Sequence, residues 1–158
     1  MIAVADASPV CYLVLIAEIE LLPKIFTQVL LPPEVLDELL VEGAPPMVRA
    51  WANAPPPWIS IHDGPAGPEK SMERLQAGER AAILLAESVH AGIILLDEKW
   101  ARRFAAERGL RVTGLLGVLV EAANRGLVDL APAIQRLTKT SFRYSPALLR
   151  PALERYHH

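Results

Sequence analysis

Two aspartates stand where short apolar runs stop. Ala3-Val4-Ala5 leads into Asp6, and Ile94-Leu95-Leu96 leads into Asp97. A carboxylate leaving a buried strand is costly unless something satisfies it. A divalent cation with oxygen ligands would do so, and so would the amides at the start of a following helix. Helix starts follow both residues, so each aspartate taken alone reads as readily as a cap as it does as a ligand. Two further acids matter. Glu79 follows Gly78 at the head of a strongly helical stretch, and Glu38 falls at the edge of the apolar face formed by Val35, Leu36, Leu39 and Leu40. Judged alone, Glu79 complements the helix dipole and Glu38 is a solvated flank, with Glu34 and Asp37 as rivals on the same helix.

The elements around these acids alternate. Ile2–Ala5 reads as a buried strand, after which Ser8 offers a helix cap and Pro9 suits the first helical position. A helix from Pro9 to about Phe26 is expected, with a break near Pro23. Val29–Leu31 is a second strand, and Pro32-Pro33 opens a helix running to Glu42 and stopped by Gly43. A short helix around Trp51, a third strand Trp58–Ile61 and a Gly/Pro loop from Asp63 to Glu69 follow. Then come a helix Gln76–His90, a strand Ile93–Leu96, a helix Glu98–Arg108 ended by Gly109, a strand Leu110–Thr113 and a helix Leu115–Arg125 ended by Gly126. Helices Leu130–Lys139 and Pro146–Tyr156 complete the chain. Strands alternating with helices imply an α/β fold, a parallel sheet covered on both faces. No repeat, low-complexity tract or linker divides it, so a single domain over residues 1–158 is expected.

In this order the motifs carry a resemblance. They are Asp6-Ala7-Ser8-Pro9, then Leu31-Pro32-Pro33-Glu34-Val35-Leu36-Asp37-Glu38-Leu39, then Ala77-Gly78-Glu79-Arg80-Ala81-Ala82-Ile83. Leu95-Leu96-Asp97-Glu98-Lys99-Trp100-Ala101-Arg102-Arg103 and Val112-Thr113-Gly114-Leu115-Leu116-Gly117 follow. From about Ile2 to Tyr156 the chain resembles the PIN-domain family, in a prokaryotic branch close to the VapC-type toxins. That resemblance implies a three-layer α/β/α fold with a five-stranded parallel sheet. It implies an acidic pocket of Asp6, Glu38, Glu79 and Asp97, with Glu98 an additional metal ligand and the Ser8 and Thr113 hydroxyls supporting the same rim. It further implies a metal-dependent ribonuclease, a toxin with an antitoxin partner, and a homodimer.

The chemistry is coherent. Mg²⁺ and Mn²⁺ take oxygen ligands in near-octahedral shells, and clustered carboxylates without metal repel until some hold a proton. Bound metal activates water and neutralises charge on a phosphodiester; a second ion would sit ~4 Å from the first. Asp6 and Asp97 are expected to hold the principal ion, with Glu38 and Glu79 orienting water or a second one. Trp100 and Phe104 should face the core, leaving Lys99, Arg102, Arg103 and Arg108 on other faces. A solvated basic face weighs more than a phosphate track there, yet Arg102 and Arg103 are the candidates for holding RNA. Trp51 and Trp58 could stack on bases or pack in the core.

Other classes are disfavoured. The net charge of −2, from 16 basic and 18 acidic residues, does not mark a non-specific polyanion binder. The single cysteine, Cys11, forbids an internal disulfide and sits in an apolar run as an inert thiol would. No basic segment precedes the apolar N-terminal stretch, and Glu18 and Glu20 interrupt the run that follows, so a soluble cytoplasmic protein with no membrane span is expected. A dehalogenase-type phosphotransferase needs a second aspartate two positions after Asp6, where Ser8 stands. Nucleotide-binding glycine motifs are missing, and His62 and His90 lack metal-site spacing. The terminal His157-His158 carries no weight. The remaining rival is a PIN-fold binding module without nuclease activity, against which stands the complete set of acids.

Overall fold

The computed structural model describes residues 1–65 and 70–142. The expected helix Pro146–Tyr156 and the end of the Asp63–Glu69 loop lie outside them. The chain runs β1 (Ile2–Ala5), α1 (Ala7–Leu15), α2 (Leu21–Ile25), β2 (Gln28–Leu31), α3 (Pro33–Leu40), α4 (Pro46–Asn53) and β3 (Ile59–Ile61). A 3₁₀ turn (Lys70–Met72) leads to α5 (Ala77–Ser88), β4 (Ile93–Leu95), α6 (Lys99–Glu107), β5 (Val112–Thr113), α7 (Leu115–Asn124) and α8 (Leu130–Thr138).

The five strands form one parallel sheet in the order β3-β2-β1-β4-β5. β1 is central, pairing Val4 with Leu30 on one side and with Ile94 on the other. Pleating then sorts the side chains. Ala3, Ala5, Val29, Leu31, Ile93 and Leu95 enter a core covered by α1–α4, α7 and α8. Val4, Leu30, Ile94 and Leu96 enter a second core covered by Met72, Leu75, α5 and α6. Strands buried on both faces must be continuously apolar, which is what these short runs are. The α/β architecture with a five-stranded parallel sheet and flanking helices is therefore the observed one.

The expected long helix after β1 is two helices. α1 stops at Leu15 because Ala17 turns left-handed, with φ 62°. The Glu18 amide then bonds the Leu13 carbonyl at 2.8 Å and the Ala17 amide bonds Val14 at 3.1 Å, a Schellman end in which alanine occupies the usual glycine position. α6 and α7 end in the same pattern at Gly109 (φ 85°) and Gly126 (φ 72°), where the sequence marks it openly. Trp100 and Phe104 are half-buried on the second core. Trp51 and Trp58 pack against each other, centroids 6.3 Å apart, on the first.

Candidate metal centre

The carboxyl ends of β1 and β4 lie side by side, because Ala5 pairs with Leu95 and the Asp6 amide donates to the Leu95 carbonyl at 3.0 Å. Asp6 and Asp97 thus leave the sheet at adjacent strand ends, where open parallel sheets form their sites. α3, entered through Pro32 from β2, brings Glu38, and the first turn of α5 brings Glu79. Asp6, Ser8, Glu38, Glu79, Asp97 and Glu98 line one cleft of about 350 Å³. Tyr12, Gln76, Ser141 and Phe142 complete its wall.

Each acid is set differently. Asp6 occupies the N-cap position of α1 but makes no side-chain capping bond, and its buried Oδ1 has no hydrogen-bond partner. Burial pushes its carboxyl up to about 7. The Ala7 amide draws it down, while Glu38, Glu79 and Asp97 add to the rise. Asp97 is clamped: Oδ1 accepts the Leu115 amide at the head of α7 at 2.7 Å, and Oδ2 accepts the Ser8 hydroxyl at 3.0 Å. Burial raises its carboxyl as well, and those two bonds and the Arg102 charge oppose the rise.

Glu79 is the reciprocal partner in a capping box with Gln76, whose amide donates to Glu79 Oε1 at 2.9 Å. Burial raises it, the Gln76 amide lowers it, and Glu98 and Glu38 raise it further. Glu38 faces solvent on one side, yet partial burial against the cleft raises it also. Glu98 is exposed and caps α6, its Oε2 accepting the Ala101 amide at 2.7 Å.

Gly78 lets these groups close in. A Cβ there would stand 3.0 Å from Glu38 Oε2 and 3.2 Å from Asp6 Oδ1, so both oxygens converge on bare backbone. Gly114 plays the same part beside Asp97, whose Oδ1 would lie 2.8 Å from an added Cβ. Among the described residues no three His, Cys, Asp or Glu side chains form a group already poised around a metal ion. The acids share the cleft, with Asp97, Glu79 and Glu98 each holding a separate hydrogen-bond partner. The donor set nonetheless fits a hard cation: carboxylate oxygens, with Asp6 Oδ1 orphaned in a place where an unpaired buried oxygen is costly.

The other expected site residues fall as follows. Ser8 does not cap α1, which begins at Ala7; its hydroxyl reaches Asp97 instead, 89 residues away in sequence. Thr113 lies at the end of β5, but its Oγ1 faces Gly117 and lines a separate cavity of about 430 Å³ with Arg111, Val118 and Glu121. Arg102 sits beside Asp97, its Nη1 3.3 Å from where a Gly114 Cβ would be. Arg103 points outward and pairs with Glu107 at 3.3 Å. Of the three acids on α3, Glu38 lines the cleft and Glu34 and Asp37 do not. Tyr12 escaped the sequence reading although it stands one helical turn beyond Ser8 on α1, a spacing that puts both on one face. Ser141 and Phe142 carried no local signal at all.

No helix among the described residues is long and apolar enough to cross a membrane. No curated protein and no solved structure matches the chain. A family model described as PIN domain matches residues 2–158, in keeping with the parallel sheet and the acidic cleft at its carboxyl edge. The chain belongs to the PIN-domain family, whose fold is of the nuclease type.

Proposed function

We propose that this protein is a divalent-metal-dependent ribonuclease, a single domain that hydrolyses RNA phosphodiester bonds at the cleft between β1 and β4. The observation that carries the reading is the Asp6 carboxyl: buried, orphaned at Oδ1, and set in a cleft with four other acidic residues, Glu38, Glu79, Asp97 and Glu98. A buried oxygen of this kind requires a partner, and an Mg²⁺ or Mn²⁺ ion is the partner this donor set suits.

Asp6 and Asp97 would hold such an ion, with Glu38 and Glu79 contributing an oxygen each or orienting its water. Asp97 is pre-positioned by Ser8 and the Leu115 amide, so its remaining lone pairs point in a fixed direction. Glu98 spends one oxygen on its cap and keeps the other for the cleft. When bound, the metal supplies an activated water and neutralises charge on the phosphate. Arg102, beside Asp97 though outside the cleft lining, would hold a phosphate oxygen, and Arg103 would meet RNA further out.

The resemblance of the motifs to VapC-type toxins extends the proposal to a cytoplasmic toxin that works as a homodimer and is held by an antitoxin. The test is cleavage of labelled RNA with Mg²⁺ or Mn²⁺ by the wild type and Asp6→Asn. Metal-dependent cleavage lost in Asp6→Asn supports the proposal. Equal cleavage by the variant contradicts it, and no metal binding by the wild type favours a PIN-fold binding module.

A further inference from the structure

The cavity that takes the Thr113 hydroxyl lies apart from the acids, among β5, α7 and the end of α2. Its volume of about 430 Å³ exceeds that of the acidic cleft. Small-molecule sites span about 300–1,000 Å³, so it is large enough to hold a ligand. Met1, Ile25, Ile93 and Val118 give it an aliphatic lining. The one ring in that lining, Phe26, is buried in the first core. Its polar side chains are Arg111, Thr113, Glu121 and Arg125.

Those polar groups are unevenly paired. Arg125 Nε meets Glu121 Oε1 at 2.8 Å, one turn apart on α7. Arg111 forms no ion pair or side-chain hydrogen bond among the described residues, and the Thr113 hydroxyl has no hydrogen-bond partner among them. The Arg111 and Thr113 carbonyls accept the Ile94 and Leu96 amides of the β4 side, each at 2.9 Å, so both residues belong to one extended run. Residues two apart on such a run face the same side of a sheet. Thr113 pairs with Leu95, and Leu95 and Ile93 enter the first core, so that side is the one α7 covers. Gly117 keeps the space in front of Thr113 open, because a Cβ there would collide with Thr113 Oγ1.

Two arginines against one glutamate leave a positive charge unbalanced at a cavity whose other side chains are apolar or neutral. A cationic ligand would meet like charge there. A neutral hydrocarbon would leave Arg111 and the Thr113 hydroxyl without partners. We propose that this cavity binds a small carboxylic acid with an aliphatic body, its carboxylate taken by the Arg111 guanidinium and the Thr113 hydroxyl. The body lies against Ile25, Ile93 and Val118, where removing apolar surface from water supplies the attraction. With Phe26 buried, the lining offers no ring face for stacking, which favours an aliphatic body over a nucleobase. The cavity shares no lining residue with the acidic cleft, and the inference is independent of the ribonuclease reading.

The experiment is an amide NMR titration of the ¹⁵N-labelled full chain, in EDTA, with octanoate, 1-octanol and octylammonium. Wild type, Arg111→Gln and Gly117→Leu are compared, the last placing a side chain in the cavity. Octanoate should shift the amides of Arg111, Thr113, Gly117 and Val118 saturably, with a Kd in the low-millimolar range or tighter for a ligand of its size. Octanol and octylammonium should bind wild type roughly tenfold more weakly or worse. Arg111→Gln should lose about tenfold towards octanoate and bind octanol as wild type does. Gly117→Leu should lose octanoate binding. If Gly117→Leu fails to fold, Arg111→Gln, a change at an exposed residue, carries the test. Shifts that do not saturate, or that fall away from these residues, overturn the site. Equal affinity for the three probes overturns the proposal, as does equal octanoate affinity in wild type and Arg111→Gln. N-acetyl-leucyl-leucine binding more tightly than octanoate overturns the small acid in favour of a peptide carboxyl terminus.

Discussion

The Ser8 hydroxyl donates to Asp97 Oδ2 at 3.0 Å, joining the first turn of α1 to the end of β4 across the mouth of the cleft. The other oxygen of Asp97 is held by the Leu115 amide at 2.7 Å. One carboxylate is thereby fixed from two sides by two different helices, while Asp6 beside it has an oxygen with no partner. A rigidly held carboxylate next to an unsatisfied one is an arrangement suited to capturing a cation.

Ser8→Ala removes one of the two clamps. A hydrogen bond to a charged group contributes about 1.5–3 kcal/mol at most, and the site is partly wet, so a stability loss of roughly 1 kcal/mol is expected in urea unfolding. The larger effect should fall on Mn²⁺ affinity, about tenfold, because supporting partners aim the ligand. Ser8→Thr, which keeps the hydroxyl, should recover most of it. Unchanged Mn²⁺ affinity in Ser8→Ala would show that the clamp has no part in ligand positioning.

Gly78→Ala separates stability from metal binding. The added Cβ would meet Glu38 Oε2 at 3.0 Å and Asp6 Oδ1 at 3.2 Å, forcing those carboxylates to shift by a few tenths of an ångström. Alanine within α5 is favoured over glycine by up to ~1 kcal/mol, so thermal stability should hold or rise. Mn²⁺ affinity should fall several-fold. A variant that binds Mn²⁺ as tightly as wild type would place the ion away from this corner.

Asp6 gives the metal-free protein a pH dependence of defined sign. Its carboxyl is raised from 3.8 to about 7 chiefly by burial, so the folded state favours the protonated form. That contribution is fully present below the unfolded value near pH 4 and is lost as pH rises towards 7. At ~1.4 kcal/mol per unit the loss is on the order of 4 kcal/mol, an upper bound because water and neighbouring groups relax around the charge. Asp6→Asn should remove most of this slope and be more stable than wild type above pH 7 in EDTA, measured by urea unfolding at several pH values. Parallel pH profiles for the two proteins would contradict the burial of a titrating Asp6.

Ala17→Gly should stabilise the chain by about 1 kcal/mol. Ala17 holds φ 62° in an exposed helix end, where a Cβ is strained and glycine is not. Urea unfolding measures this, and a decrease in stability would mean that the left-handed turn is not adopted.

Much of this geometry was legible in the chain. Asp6 and Asp97 announce themselves because an apolar strand can end in a carboxylate only where something receives it. Gly109 and Gly126 mark helix ends for the backbone reason that α6 and α7 confirm. The end of α1 was hidden because alanine carries no such mark, and the apolar pattern runs on past Ala17 towards α2. The local context of Ser8 suggests a cap, and the resemblance puts its hydroxyl at the rim; that its partner is Asp97 is set by pairing of β1 with β4, a long-range fact. Thr113 shares its hydroxyl chemistry with Ser8 but turns that hydroxyl towards Gly117 and a separate cavity, so residue type alone could not place it. Phe142 and Ser141 reach the cleft through tertiary packing, and no spacing within the chain encodes that approach.

The central claim is that the strand-end carboxylates bind a divalent cation, and calorimetric titration with Mn²⁺ of wild type against Asp6→Asn tests it most directly. The account predicts saturable binding by the wild type at pH 7.5, abolished or weakened at least a hundredfold in a folded Asp6→Asn. Binding of equal strength in both proteins, or none in either with or without RNA present, would contradict it.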